Sequence, residues 1–323
     1  MDLRQLRTFR SVAELGSLSK ASDRLRVAQP ALSRHIKLLE HELRVELFTR
    51  NGRGMILTSA GQMLLDRTSG VVRQIEQVRD DLQSIKGTPS GNVVLGLVPT
   101  VSCVLSAGFA RRIVERFPDI SLRIVESYGG HLVEWLHRGE MDLAIIYGPS
   151  TDLHLSVQTL GRDDLVAVGP HGCGLAQRKQ VDIGWLAAQK LVLPSNSHGL
   201  RVLIEKAAAR KSLSLNVSVE ADSFRVLTSF VEEGLGFTVL PQSAVRTEVA
   251  QGRLEIADIV KPTLSRELIL AAPADRPPSI ATASISSLIR KEIQSLADDG
   301  LWNIRLAAQT ERSVARGKRS QAK

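Results

Sequence analysis

Residues 17–40 read SLSKASDRLRVAQPALSRHIKLLE, and apolar residues recur at helical spacing on both sides of a short break. Ser17 is placed to cap a first helix carrying Leu18, Ala21 and Leu25. Gln29-Pro30 opens a second, with Leu32, Ile36, Leu39 and Leu43 three or four residues apart. Pro30 fits a first helical turn, where its missing N–H costs little. Gln29, Ser33, Arg34 and Lys37 fall on the side away from that apolar stripe. A helix that enters the DNA major groove needs this division: an apolar face to hold it, and short polar groups and a guanidinium turned to base edges. Arg34 suits the paired acceptors of guanine, and Gln29 suits adenine. Lys37, Arg50 and Arg53 suit phosphates, which position a protein without specifying sequence.

Outward from this stretch, the frame is complete on both sides. Leu3, Leu6, Phe9, Val12 and Ala13 make a preceding helical stripe that ends at Gly16-Ser17. Leu47-Phe48 and Met55-Ile56-Leu57 flank the polar turn Asn51-Gly52-Arg53-Gly54, the pattern of a hairpin. Residues 1–58 therefore predict a winged helix-turn-helix that binds double-stranded DNA.

Thr58 is placed to cap a long helix running to about Lys86. Along it Leu64, Thr68, Val71, Ile75, Val78, Leu82 and Ile85 alternate spacings of four and three, a heptad seam that predicts pairing with a second copy. Residues 59–88 thus form a linker and dimerisation helix. Beyond the turn-rich residues 87–91, strand-like runs (93–98, 121–125, 143–147) alternate with helical ones, and the alternation restarts at 164–168, 191–193, 217–220 and 237–240. Alternation of this kind predicts an α/β body with mostly parallel strands. Its two halves predict two lobes around a cleft: lobe I from 92–162 and 267–297, lobe II from 163–266, the whole unit covering 89–300. After Gly300 the chain turns polar and basic, and residues 301–323 are expected to be disordered.

The 323 residues carry a formal charge of +8. Residues 1–90 hold 15 basic and 10 acidic side chains, and residues 305–323 hold 6 and 1, while the middle is slightly acidic. The ends, not the body, are suited to a polyanion. Aromatic content of 4% argues against a base-stacking single-strand binder. No apolar run reaches membrane-spanning length, the first residues carry no export signal, and two cysteines imply no disulfide framework. A cytoplasmic location is expected.

Phe9, Gly16-Ser17, Ala21-Ser22, Leu25, Gln29 to Ser33, Leu39-Glu40, Leu43, Leu47-Phe48, Arg50, Arg53 and Leu57 to Gly61 closely resemble the LysR-type regulator family in order and spacing. The resemblance extends to about residue 297. It implies an α+β multidomain chain: a winged helix-turn-helix, a dimerisation helix and a two-lobed, periplasmic-binding-protein-like effector domain. It also implies a homodimer or homotetramer on an interrupted palindrome, RNA polymerase as a further partner, and a small-molecule co-inducer between the lobes. The matching cleft positions are Pro99, Thr100, Val101, Ser102, Ser127, Tyr128, Tyr147, Gly148, Pro149, Ser195 to His198, and Phe224. Those taken as effector-binding are Thr100, Val101, Ser102, Tyr128, Tyr147, Ser197, His198 and Phe224. Hydroxyls and N–H groups at a helix start favour an anion, so a small organic anion is expected, its charged end on Thr100 and Ser102. Ala28 departs from a frequent Ser or Thr cap, a loss of about 1 kcal/mol. His35 departs from a frequent Gln within the DNA-reading set.

Other chemistries lack their signatures. There is no Gly-x-Ser-x-Gly elbow, Walker loop or dinucleotide glycine pattern, so no catalytic residue or cofactor is assigned. His131, Glu134 and His137 lie three apart and spread around a helix, unlike the i, i+4 pairs that grip a metal. Cys103, among valines and a leucine, reads as a packed hydrophobe, and Cys173 as an exposed thiol without a partner. A transport binding protein shares the two-lobed shape but not the DNA-binding head. A regulator whose cleft has lost its ligand stays open as an alternative. Arg312, Arg316, Lys318 and Arg319 form either a solvated tail or a nonspecific DNA contact.

Overall fold

The computed structural model describes residues 1–52, 54–84, 88–148 and 152–307. Helix α1 (Leu3–Leu15) starts in a capping box, Asp2 and Gln5 each bonding the other's N–H. Helix α2 (Leu18–Leu25) starts at Ser17, and α3 (Gln29–Leu43) starts at Ala28 with no side-chain cap. Leu32, Ile36 and Leu39 of α3 pack on Phe9, Val12, Leu18 and Ala21. Strands β1 (Phe48–Asn51) and β2 (Gly54–Leu57) form the antiparallel wing. Met55 N donates to Gly16 O at 2.9 Å, and a Cβ on Gly54, at φ +124°, would overlap that carbonyl. Only glycine serves there.

Helix α4 (Ser59–Ser84) opens where the Thr58 hydroxyl accepts the Gly61 N–H at 3.0 Å. One face holds the rest of the chain together. Arg73 pairs with buried Asp142 and donates to Glu140 O at 2.6 Å, while Gln77 donates to the other Asp142 oxygen at 2.6 Å. Arg7 and Arg10 of α1 reach Glu76 at 3.1 and 3.3 Å. On the other face Val71, Ile75, Val78 and Leu82 are 45–63% exposed. The expected seam is shorter than its sequence pattern: Leu64 packs into the head's core, and Ile85 lies outside the described residues.

In the body, β3 (Gly91–Leu97), α5 (Pro99–Arg116), β4 (Ile120–Glu126), α6 (Gly129–His137) and β5 (Leu143–Gly148) build a parallel β4–β3–β5 sheet. Strand β6 (Leu155–Pro170) then leaves for the second lobe. That lobe contains α7 (Leu175–Arg178), β7 (Gln180–Val181), α8 (Ile183–Ala187), β8 (Lys190–Leu193), α9 (Gly199–Ala209), β9 (Asn216–Glu220), α10 (Phe224–Glu232), β10 (Thr238–Pro241), α11 (Arg246–Ala250) and β11 (Leu254–Ile259). Strand β12 (Ser265–Pro273) returns, and α12 (Ile280–Asp298) closes the first lobe against α5, followed by β13 (Ile304–Leu306). Two apolar cores result. One centres on Phe109, Leu132, Ile145 and Ile285, the other on Leu191, Ile204, Val231 and Val239.

Two expectations are corrected. The strands are not mostly parallel: β10, β11, β12 and β13 all run antiparallel to β6. The chain crosses between lobes as one extended strand and returns as another, so the two must oppose. The expected strand at 164–168 is only the second half of β6, because residues 156–159 are exposed and polar enough to hide the first half. The segment after Gly300 is not disordered from its start. Trp302 is 1% exposed, its Nε1 donates to Asp163 Oδ1 at 3.2 Å, and β13 pairs with residues 161–163 of β6. One large apolar side chain anchors a segment that composition had assigned to solvent. Residues 308–323, with most of the basic tail, lie outside the described residues.

Replacing Trp302 by Ala empties a filled site and leaves an Asp163 oxygen without its donor. Urea unfolding is expected to lose about 3–5 kcal/mol relative to wild type; a loss below about 1 kcal/mol would contradict the anchoring role.

Candidate nucleic-acid interface and ligand cavity

On α3 the two faces separate cleanly. Leu32, Ile36 and Leu39 are buried, whereas Gln29, Pro30, Arg34 and Lys37 are exposed and Ser33 is half-buried. Pro30, Arg34 and Lys37 follow one another at i, i+4 and i+7, one stripe along the helix. Ala28 gives α3 no side-chain cap, Pro30 has no N–H, and the Ala31 and Leu32 N–H groups turn back to Ala28 O at 2.9 and 3.2 Å. Arg50, exposed on β1, extends the basic surface; Arg53 lies outside the described residues. His35 is placed differently from the reading expected of it. Its Nδ1 lies 3.0 Å from the Thr8 hydroxyl, so it joins α3 to α1. Glu40, unassigned in the sequence reading, accepts the Leu47 and Phe48 N–H groups at 2.8 and 3.3 Å and fixes the wing to α3.

Between the lobes lies a cavity of about 820 Å³, within the range of small-molecule sites. Thr100, Tyr128, Tyr147, Ser197, His198 and Phe224 line it, as expected from the sequence. Val101 and Ser102 do not: both are buried, Val101 in the lobe I core, because on α5 they turn away from the cavity that Thr100 faces. Pro149 lies outside the described residues. The N-termini of α5, α6, α9 and α10 all open onto the cavity. Those of α5, α6 and α10 have no side-chain cap, and His198 Nδ1 caps α9 by accepting from Leu200 N at 3.2 Å. Burial and the Arg266 charge push the His198 imidazole down, toward its neutral form. Arg201 is not available to a ligand: it is buried and bound to Glu205, Glu220 and Pro194 O.

From the cavity wall a connected polar group runs inward, and its Asp163 and Arg266 were missed by the sequence reading. The Thr100 and Tyr147 hydroxyls are 3.0 Å apart, and Tyr147 donates to Asp163 Oδ2 at 2.7 Å. Burial pushes the Asp163 carboxyl up, against the opposing pull of Arg266, Tyr147 and Trp302. Arg266 stacks on Tyr147, its guanidinium carbon 3.5 Å from the ring centroid. One signal pointed to it: in the run SRELIL of β12, alternation puts Arg266 on the face of buried Leu268.

Among the described residues no group of three or more His, Cys, Asp or Glu side chains could hold a metal. His131 stacks on Trp135, Glu134 pairs with Arg138, and His137 pairs with Asp152. Cys103 is exposed rather than packed, its thiol donating to Thr100 O at 3.2 Å. Cys173 is half-buried and its thiol reaches Glu255 at 3.6 Å. No helix among the described residues is long and apolar enough to cross a membrane.

An exposed reading helix on a winged head, joined to a two-lobed body around a ligand cavity, defines a ligand-responsive DNA-binding regulator. The chain belongs to the LysR family: residues 3–62 match the bacterial regulatory helix-turn-helix protein, lysR family, and residues 86–294 match the LysR substrate binding domain. It is a DNA-binding transcriptional regulator with an effector-binding domain, not an enzyme. Nitrogen assimilation regulatory protein nac of Escherichia coli is 31% identical over 296 residues, covering 91% of this chain and 96% of that protein. BbuR, an HTH-type transcriptional regulator of Bordetella bronchiseptica, is 28% identical over 302 residues, covering 94% and 93%. In fold the chain is similar to a full-length OxyR variant from Pseudomonas aeruginosa (TM-score 0.76, 24% identity, 96% and 99% covered). It is also similar to full-length CbnR complexed with its target DNA (TM-score 0.65, 18% identity, 91% and 99% covered).

Tyr147→Phe removes the hydroxyl between Thr100 and Asp163 and leaves both short of a partner. A loss of about 1–3 kcal/mol in urea unfolding is expected, against no measurable change for Ser197→Ala at an exposed position.

Proposed function

We propose that the chain binds an interrupted palindromic operator as a homodimer or homotetramer and responds to a small organic anion held between its lobes. The observation that carries the DNA reading is the opposed pair of faces on α3, one filling the head's core and the other bare and polar. Arg34 and Gln29 read bases; Pro30 and Ser33 lie along the groove floor; Lys37, Arg50 and Arg53 hold phosphates. His35 is assigned to packing instead. The solved CbnR complex with target DNA supports this use of the fold. Pairing through Val71, Ile75, Val78 and Leu82 would cover the exposed side of α4 and supply the second half-site reader, since paired operators follow the symmetry of the protein. RNA polymerase is the further partner when the bound regulator activates.

The anion reading is supported by helix N-termini converging on the cavity, each offering N–H donors and the positive end of its dipole. Thr100, Tyr128, Tyr147, Ser197, His198 and Phe224 are the effector-binding residues of this reading, with Thr100 holding the charged end.

Footprinting on DNA upstream of the chain's own gene is expected to reveal two protected half-sites. Arg34→Ala is expected to weaken specific binding by about 1–3 kcal/mol, and Lys37→Ala to lower the salt slope of log affinity by about 1. Protection unaffected by Arg34→Ala would contradict base reading by α3. In sedimentation, Val78→Lys is expected to dissociate the α4-paired assembly; an unchanged mass would exclude that seam.

A further inference from the structure

Arg266 and Asp163 stand directly opposite each other on the β12–β6 ladder, a position from which opposite charges ordinarily pair. Here the carboxylate is engaged elsewhere, its oxygens accepting from Tyr147 at 2.7 Å and from Trp302 at 3.2 Å. Among the described residues, Arg266 Nε and Nη2 have no hydrogen-bond partner although both are removed from solvent. Donors left unmade inside a protein are costly, and an arginine held by its face on an aromatic ring keeps them directed in its plane. The Nε–Nη2 edge is a two-donor fork of the kind that meets a carboxylate at two points. Arg266 lines the cavity, and its Nε–Nη2 edge, now shielded from solvent, must turn outward to meet an occupant.

The surroundings narrow the occupant further. Among the described lining residues Arg162, Lys206 and Arg266 outnumber Asp222 and Glu267 by one, and the Asp163 carboxyl stands just behind Tyr147, so the site is near charge balance. That balance suits a singly charged anion better than a divalent one. Val133, Ile146, Leu203, Phe224, Leu227 and Leu240 supply apolar wall, which an inorganic anion would leave unfilled.

We propose that Arg266 is the charge partner of the effector and that the effector is a monocarboxylate with an apolar body. This deepens the anion reading of the same cavity and rests on it. Thr100 at the α5 N-terminus then positions the carboxylate, and Arg266 selects it.

Calorimetric titration of the full chain with hexanoate and 3-phenylpropanoate, their primary amides, and sulfate tests the proposal. The acids are expected to bind at least tenfold more tightly than the amides or sulfate. Arg266→Gln is expected to lose at least tenfold in acid affinity. Arg266→Lys, which keeps the charge without the fork, is expected to fall between the two, and it decides the matter if the Gln variant does not fold. Acid binding equal in wild type and Arg266 variants, but weakened by Thr100→Ala, would overturn the role of Arg266 and leave the anion reading standing. Sulfate binding more tightly than either acid, or amides binding as tightly as acids, would overturn the monocarboxylate class. Failure of every probe to bind wild type would overturn the proposal and the anion reading together.

Discussion

The pairing of β6 with β12 is the constraint on which the rest of the body depends. Its register runs from Ser265 opposite Asp164 to Pro273 opposite Leu155, with an irregularity between Leu268 and Ile269. Both strands cross the lobe boundary, so continuous backbone bounds one side of the cavity, while helix starts and the turns before α9 and α10 line the rest. Residues that meet in it owe their positions to this ladder: Asp163 and Arg266 stand opposite across it, and Tyr147 opposes Leu268 from β5. A bulge increases local twist and bends its strand, and this one lies two residues from Arg266. Strand β13 adds a third rail at Gly161 to Asp163, where a Cβ on Gly161 would press on the Arg305 carbonyl.

A second junction joins body to head. Asp142 accepts from Arg73, Gln77 and the Val94 N–H, and burial sets the Arg73 charge against its surroundings while Asp142 sustains it. A buried pair of this kind contributes modestly when complete and is costly when one partner is lost, so it fixes how α4 lies on lobe I. Glu76, on the same helix, holds Arg7 and Arg10 of α1. Helix α4 therefore contacts both lobe I and α1, the helix that supports α3. The path consists of packed helices and ion pairs, the kind of contiguous network through which coupling travels.

The head was legible in the sequence because its periodicities are local: Leu32, Ile36 and Leu39 fill a core while Arg34 and Lys37 face out, and the wing turn carries its glycines. Most cavity residues were legible through the family pattern, Thr100, Tyr128, Tyr147, Ser197, His198 and Phe224 among them. Val101 and Ser102 were misplaced because adjacent residues at a helix start turn about 100° apart, and only Thr100 faces the cavity. The antiparallel crossing was hidden by the polar surface of residues 156–159. Asp163, Arg266 and Trp302 come together only through pairing of segments about a hundred residues or more apart, which no local pattern records.

The central claim is that occupation of the cavity and binding of DNA are coupled through this frame. Coupling is reciprocal at equilibrium, so an operator that alters effector affinity is altered in return by the same factor. The most direct test is calorimetric: the dissociation constant of a carboxylate effector for the full chain alone, and again with the chain saturated by its footprinted operator fragment. The account predicts that the two constants differ by about fivefold or more. Identical constants, with binding intact in both, would contradict it, leaving a DNA reader and a ligand cavity that share a chain without communicating.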